Sequence, residues 1–231
     1  MTIAGNIEKV EEHILRACAV SGRKRGEITL LAVSKFQPLA AIGEAWNAGM
    51  RIFGESRVRE GVEKFSAFRE NHLTEGVHLI GNLQRNKARS AAEFYDCVQS
   101  VDRETLLIDL DKYAANRAAP LDILLELHTG EDSKSGFPDL DSLERAAELA
   151  LGLGNIRLRG LMTMAPLTGD TELIRASFRK LAKARDVLEN HFPSGAACSW
   201  SCMSMGMSGD FEIAVEEGST ILRIGGAIFG G

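Results

Sequence analysis

The sequence predicts a closed (β/α)8 barrel, a TIM barrel in the α/β class. Three observations predict it. Apolar strand-like runs alternate with longer helical patterns, the alternation occurs eight times, and no linker or composition break interrupts it over 231 residues. Alternation of this kind builds a parallel sheet, because parallel neighbours need a crossover between them. Eight units in a chain near the usual size of about 250 residues favour closure over the runner-up, an open doubly wound sheet. One domain is expected over 1–231, with a leading helix and loop at 1–27 and eight strand–helix units at 28–231.

Each element has its local reason. Apolar residues at helical spacing predict an opening helix over about Ile7 to Val20. The run Leu30-Leu31-Ala32-Val33 predicts strand one, Thr29–Ser34, and Pro38 opens a helix that Gly49 closes. Strand two is expected at 51–54, followed by a helix over 57–70 with Val58, Val62, Phe65 and Phe68 on one face. Strand three is expected at 77–81, a helix at 83–93 and strand four at 96–101, with Asp102 as N-cap of a helix over 103–117. Strand five is expected at 121–127, a helix at 140–151, strand six at 156–162 and a long helix at 171–190. Strand seven is expected at 198–203, a short helix capped by Ser208 or Asp210 and running to Glu217 follows, and strand eight is 220–224.

Bulk composition narrows the function. The chain is 45% hydrophobic and 26% charged, with a net charge of −5. No broad basic field is expected, so nucleic acid and anionic membrane are poor partners, while a small anionic ligand still fits local donors. No segment approaches the roughly 20 apolar residues of a membrane span. The N-terminal residues are acidic where a secretory signal is basic, and the expected location is the cytoplasm. Cys18, Cys97, Cys198 and Cys202 form no CxxC pair and lack zinc spacing, so reduced thiols and no metal are expected.

In such a barrel the site lies at the C-terminal ends of the strands. Those ends offer Lys35, Glu55 and Ser56, Gly81 and Asn82, Ser100 and Asp102, His128 with Lys134 beyond it, Thr163 and Met164, Ser204 to Ser208, and Arg223 to Gly226. Ser204-Met205-Gly206-Met207-Ser208-Gly209-Asp210 is a small-residue turn whose backbone N–H groups suit an anion. Gly225-Gly226 allows a second close backbone approach, and loops after strands seven and eight are where barrels often hold phosphate. Arg223 stands within an apolar strand and needs a partner. Spacing leaves two readings open, an ion pair with a carboxylate such as Glu55 or a ligand contact. His78 reads as a core or hydrogen-bonded histidine and Asp102 as a cap rather than an acid. The methionines at 203, 205 and 207 read as packing, and Arg85 to Arg89 as a solvated helix face.

The segments AVSKFQP, IFGES, HLIGNLQRNK, ELHTGEDSKSGF, GLMTMAP and SMGMSGDFEIAVEEGSTILRIGGAIFG resemble, in order, the YggS/PROSC family of pyridoxal 5′-phosphate (PLP) homeostasis proteins. The resemblance runs from about Leu30 to the C-terminus, and SMGMS-x-D followed by RIG is its most specific part. It implies a fold-type III PLP barrel like the N-terminal domain of alanine racemase. It implies that Lys35 forms a Schiff base with PLP, that Ser208 with the backbone at Gly225 and Gly226 holds the phosphate, and that Arg223 faces the pyridine nitrogen. Ser204, Ser56 and Asn82 join the expected cofactor-binding set, and Lys134 matches a lysine discussed as a secondary PLP contact. Ser56 stands where the family commonly has Asn, and Gly226 where it commonly has Thr or Ser.

The function so implied is PLP binding and PLP homeostasis without robust turnover; a monomer is expected, with PLP and PLP-dependent apo-enzymes as its partners. An Arg at the ring nitrogen weakens the cofactor as an electron sink. The alternative is a racemase-like PLP enzyme. That alternative calls for a second domain carrying an acid/base tyrosine, which is not expected because the sequence stops just after strand eight at Phe229-Gly230-Gly231. Tyr95 and Tyr113 fall at no strand's C-terminal end. A third reading is a PLP-free Schiff-base aldolase with Lys35 as the amine, for which no convincing acid/base is at hand.

Overall fold

A computed structural model describes residues 2–72, 74–130, 135–196 and 198–230. Eight parallel strands close into a barrel in sequence order: β1 Thr29–Val33, β2 Ile52–Glu55, β3 Gly76–Leu79, β4 Cys97–Val101, β5 Leu121–Glu126, β6 Ile156–Met162, β7 Cys198–Ser204 and β8 Ile221–Ile224. Closure is made by β1, which pairs with β2 at Ala32–Phe53 and with β8 from Thr29–Ile221 to Ala32–Ile224. Regular pairing of β7 with β8 occurs only at Ser204 and Ile221.

The helices are α1 Ile3–Ser21, α2 Leu39–Asn47, α3 Val58–Arg69, α4 Ala88–Phe94, α5 Glu104–Ala114, α6 Leu140–Leu151, α7 Thr171–His191, α8 Phe211–Glu216 and α9 Gly226–Phe229. Local chemistry fixes their ends. Thr2 accepts the Gly5 amide at 3.2 Å to start α1, and Gly22 ends it in the left-handed region at φ 71°. Asp139 and Ser142 form a reciprocal capping box on α6, and Asp170 accepts the amides of Glu172 and Leu173 on α7.

Two differences from the sequence expectation concern helix starts. The helix expected at 83–93 is split into a 3₁₀ turn, Arg85–Lys87, and α4. Asp102 is not a cap: Arg103 holds the N-cap position of α5 without a side-chain bond, while Asp102 accepts from Asn82 and Arg103.

The core has two parts, as the strand alternation requires. Outward residues such as Leu30, Ala32, Leu222 and Ile224 pack against the helices in one large cluster. Inward residues form small clusters, Leu31 with Val33 and Ile221, and Cys97 with Leu124 and Met162. Inside the barrel the apolar layer is therefore thin. Gln99, Glu126, Ser204 and Arg223 are buried on the strands around it. α1 lies against α8 and α9, burying Ile7, Val10 and Ile14, and Asn6 donates to the Ile228 carbonyl at 2.9 Å. Full burial of each such aliphatic side chain stabilises by about 1.5–3 kcal/mol, which seats α9 against the end of β8.

Candidate functional site

The mouth at the C-terminal ends of the strands holds a cavity of about 390 Å³, within the usual range for a small-molecule site. Lys35, Ser56, Ser208, Gly209, Asp210, Arg223, Gly225 and Gly226 line it, with an apolar wall from Val33, Ile80 and Met164 to Leu167. The strand-end residues of β1, β2, β7 and β8 that the sequence singled out thus converge. A second groove of about 440 Å³ runs outside the barrel along α7, and no strand-end polar residue reaches it.

Lys35 keeps the inward phase of Leu31 and Val33 and is exposed just past the end of β1. Its position is fixed by a turn in which the Gln37 amide donates to the Ser34 carbonyl at 3.0 Å. Phe36 within that turn has φ 64°, the one positive φ at a non-glycine residue in the described chain.

The two loops beyond β7 and β8 are joined. The Ala227 amide donates to the Ser208 hydroxyl oxygen at 3.1 Å, a bond that does not use the hydroxyl proton. Asp210 does not cap α8 with its side chain; its Oδ1 accepts the Met207 amide at 2.6 Å and tightens the turn. Gly206 has φ 97°, and a Cβ there would lie 2.6 Å from the Ala214 Cβ. Only glycine permits that turn and that close approach to α8 together. At Gly209 a Cβ would meet nothing within 4 Å, and at Gly226 only the Ser208 Oγ at 3.8 Å, so the loops leave open space on the cavity side.

Arg223 is 4% exposed. Its Nη1 donates to the Ser204 hydroxyl at 2.6 Å and its Nη2 to the Thr163 carbonyl at 2.8 Å. Burial lowers its pKa to about 10, partly offset by Glu126 and Asp210, so it stays charged at neutral pH. The ion pair with Glu55 is not formed. Glu55 accepts from Ser34 at 2.7 Å and Lys64 at 2.9 Å instead, and burial pushes its pKa up against those two donors.

Ser204 ends β7 rather than opening the turn. It is fully buried beneath the cavity and hands its proton to Gln99 Oε1 at 2.6 Å. The Gln99 amide nitrogen donates in turn to His78 Nδ1 at 2.8 Å. A directed chain of donors therefore runs from Arg223 through Ser204 and Gln99 to His78. The expected hydrogen-bonded histidine is present, and burial lowers its pKa to about 4.

Asn82 does not reach the cavity lining. Its amide donates to Asp102 at 3.1 Å. Lys134 lies outside the described residues. Sequence reasoning also missed Gln99 and Glu126, both buried polar residues on apolar strands. The signal that singled out Arg223, a polar side chain that must find a partner in the core, applies equally to these two. Burial raises the Glu126 pKa to about 7, against the Ser135 hydroxyl, which lies 3.1 Å from both carboxyl oxygens. Of the wall from Met164 to Thr168, sequence reasoning singled out only Met164; the rest, Ala165 to Thr168, carries only apolar and hydroxyl groups.

The alanine racemase N-terminal domain family matches residues 6–231. The chain is 43% identical to the pyridoxal phosphate homeostasis protein of Vibrio cholerae serotype O1, over 99% of this chain and 96% of that one. It is 41% identical to the protein of that name from Escherichia coli strain K12, over 99% and 96%. Among solved structures, PipY of Synechococcus elongatus PCC7942 with PLP bound aligns with a TM-score of 0.82 at 33% identity, covering 94% of this chain and all of that one (100%).

Proposed function

This chain belongs to the pyridoxal phosphate homeostasis proteins, within the alanine racemase N-terminal domain family, and from that membership we propose that it binds pyridoxal 5′-phosphate at the barrel mouth and takes part in handling that cofactor in the cell. The residues present fit the group. A primary amine, an anion-ready turn and a buried cation line one cavity, and Gly209 and Gly226 leave it room. The convergence of Lys35 with the Ser208 turn and Gly225-Gly226 carries the reading.

When bound, the cofactor supplies an aldehyde and an electron-withdrawing ring. Lys35 would hold the aldehyde end. Ser208, with the backbone at Gly225 and Gly226, would hold the phosphate, and Ser56 would border it as a shorter neighbour than asparagine. In the orientation the resemblance implies, Arg223 faces the ring nitrogen, where a fixed positive charge disfavours protonation. The reading without turnover rests on that cation, and on the two tyrosines. Tyr95 is buried under α3, with its hydroxyl donated to the Val58 carbonyl at 3.2 Å, and Tyr113 stands on α5. Neither lines the cavity. The proposal extends to a single-domain cytoplasmic monomer that serves PLP-dependent apo-enzymes, and four free cysteines suit a reducing compartment.

The test is the absorption spectrum of the purified chain with added PLP. A visible band that is lost on borohydride treatment and absent in Lys35→Ala is expected. A chain that leaves the spectrum of free PLP unchanged defeats the reading. Rapid racemisation of D- or L-alanine by the loaded protein favours the enzyme reading instead.

A further inference from the structure

Lys35 is held from both sides by one helix. On the N-terminal side, Lys64 of α3 donates to the Ser34 carbonyl at 2.9 Å. On the C-terminal side, Glu60 of α3 accepts the Phe36 amide at 2.8 Å. The two side chains meet each other, Lys64 Nζ to Glu60 Oε1 at 3.2 Å, and Lys64 also donates to Glu55 Oε1 at 2.9 Å. The ammonium of Lys64 thus spends its three donors on one carbonyl and two carboxylates.

The turn it grips is one a phenylalanine resists. Residue 36 occupies the place where a turn with positive φ calls for Gly or Asn. A bulky side chain in that region is a strained outlier that persists only when its surroundings over-determine it. Burial of the Phe36 ring does not compensate, because the residue is 64% exposed. What holds the turn is the Glu60 bond to its amide, aided by the Arg57 guanidinium 5.1 Å from the ring centroid.

We propose that Glu60 is a positioning residue for the cofactor anchor: it locks the strained turn at Phe36 so that Lys35 is presented to the cavity in one conformation, with Lys64 bracing the other side of the same turn. The inference rests on the reading of Lys35 as the PLP anchor. Without the Glu60 acceptor, the turn relaxes and the amine samples positions away from the pocket. Binding then carries the cost of restoring the turn, and apparent affinity falls by the fraction of time that the competent form is absent.

The experiment is a PLP titration of the full chain, followed by its visible spectrum, in a double-mutant cycle. Glu60→Ala is expected to bind about tenfold more weakly, about 1.4 kcal/mol. Glu60→Gln, which keeps an acceptor for the amide, is expected to stay within about threefold of wild type. Glycine adopts positive φ without strain, so in a Phe36→Gly background Glu60→Ala is expected to cost about twofold or less. An equal loss in both backgrounds, or Glu60→Gln as weak as Glu60→Ala, overturns the proposal. Phe36→Val probes the same strain where Glu60→Ala does not fold. A β-branched residue resists the turn more, so weaker binding supports the proposal and wild-type affinity overturns it. A wild-type chain that takes up no PLP defeats the anchor reading itself, whereas uptake by wild type and Glu60→Ala alike defeats the positioning role alone.

Discussion

The Ser208 hydroxyl accepts the Ala227 amide at 3.1 Å, so one small side chain joins the loop after β7 to the loop after β8. A ligand phosphate placed there would receive the hydroxyl proton from a group whose oxygen is already fixed. Ser208→Ala removes both roles. Hydrogen bonds to charged groups contribute about 1.5–3 kcal/mol, so PLP affinity is expected to fall at least tenfold. Titration of wild type and variant with PLP measures it, and equal affinities would place the phosphate elsewhere.

The donor chain beneath the cavity is a second test. Ser204→Ala leaves Arg223 Nη1 without its acceptor and Gln99 Oε1 without its donor, both in the buried interior. Orphaning buried polar groups costs about 1–3 kcal/mol each. A fall of that order in unfolding free energy is expected from urea titration, in the absence of any ligand. A variant as stable as wild type would mean that Arg223 finds another partner at no cost.

Glu126, buried at the end of β5, and His78, half-buried inside the barrel, give opposite pH signatures. Burial raises Glu126 from 4.5 to about 7, so between those values the native chain binds more protons than the unfolded one, and the contribution of Glu126 to stability falls as pH rises through that window. Burial lowers His78 from 6.5 to about 4, so the unfolded chain binds more protons there, and the His78 contribution rises between about pH 4 and 6.5. Glu126→Gln removes the falling part. Relative to wild type it is expected to gain stability from pH 5 to pH 8, by at most about 3 kcal/mol. Urea titrations at the two pH values decide the matter, and a difference that does not change with pH would contradict a neutral Glu126 at pH 5.

Gly206→Ala sets a side chain against two obstacles, a φ of 97° and the Ala214 Cβ at 2.6 Å. Backbone strain and overpacking together are expected to destabilise the fold by about 2 kcal/mol or more. Gly209→Ala, one turn away in open space, is expected to cost far less. Thermal melts of the two variants side by side check the contrast, and similar melting temperatures would refute it.

The barrel was legible because its elements repeat: each strand is a short apolar run, each long helix an amphipathic stripe, and the period changes between them eight times. What slipped was short or aperiodic. α9 has four residues and no stripe to read, and the 3₁₀ turn at Arg85–Lys87 carries the same polar composition as a helix face. Lys35, Arg223, Ser208 and the paired glycines were legible as strand-end or core-strand oddities. β7 runs one residue beyond the expected 198–203, because Ser reads as a turn former, whereas the Ser204 hydroxyl here satisfies Arg223 inside the sheet. Asn82 sits at a strand end but spends its amide on Asp102, and nothing in its local sequence announces that partner. Glu60 and Lys64 fall outside the apolar stripe that marks α3 in the sequence, and only the tertiary fold brings them over the turn of β1.

The regular pairing of β7 with β8 at Ser204 and Ile221 is continued by the Thr220 amide to the Met203 carbonyl at 2.9 Å and by the Arg223 amide to the Gly206 carbonyl at 3.0 Å, the latter in the turn beyond β7. Both anion-ready loops rise from these two strands. A phosphate gripped by the pair would therefore act as a rivet across this joint. Occupancy would then be felt as mechanical closure of the whole wall, so that loading the cofactor and fastening the barrel become one event.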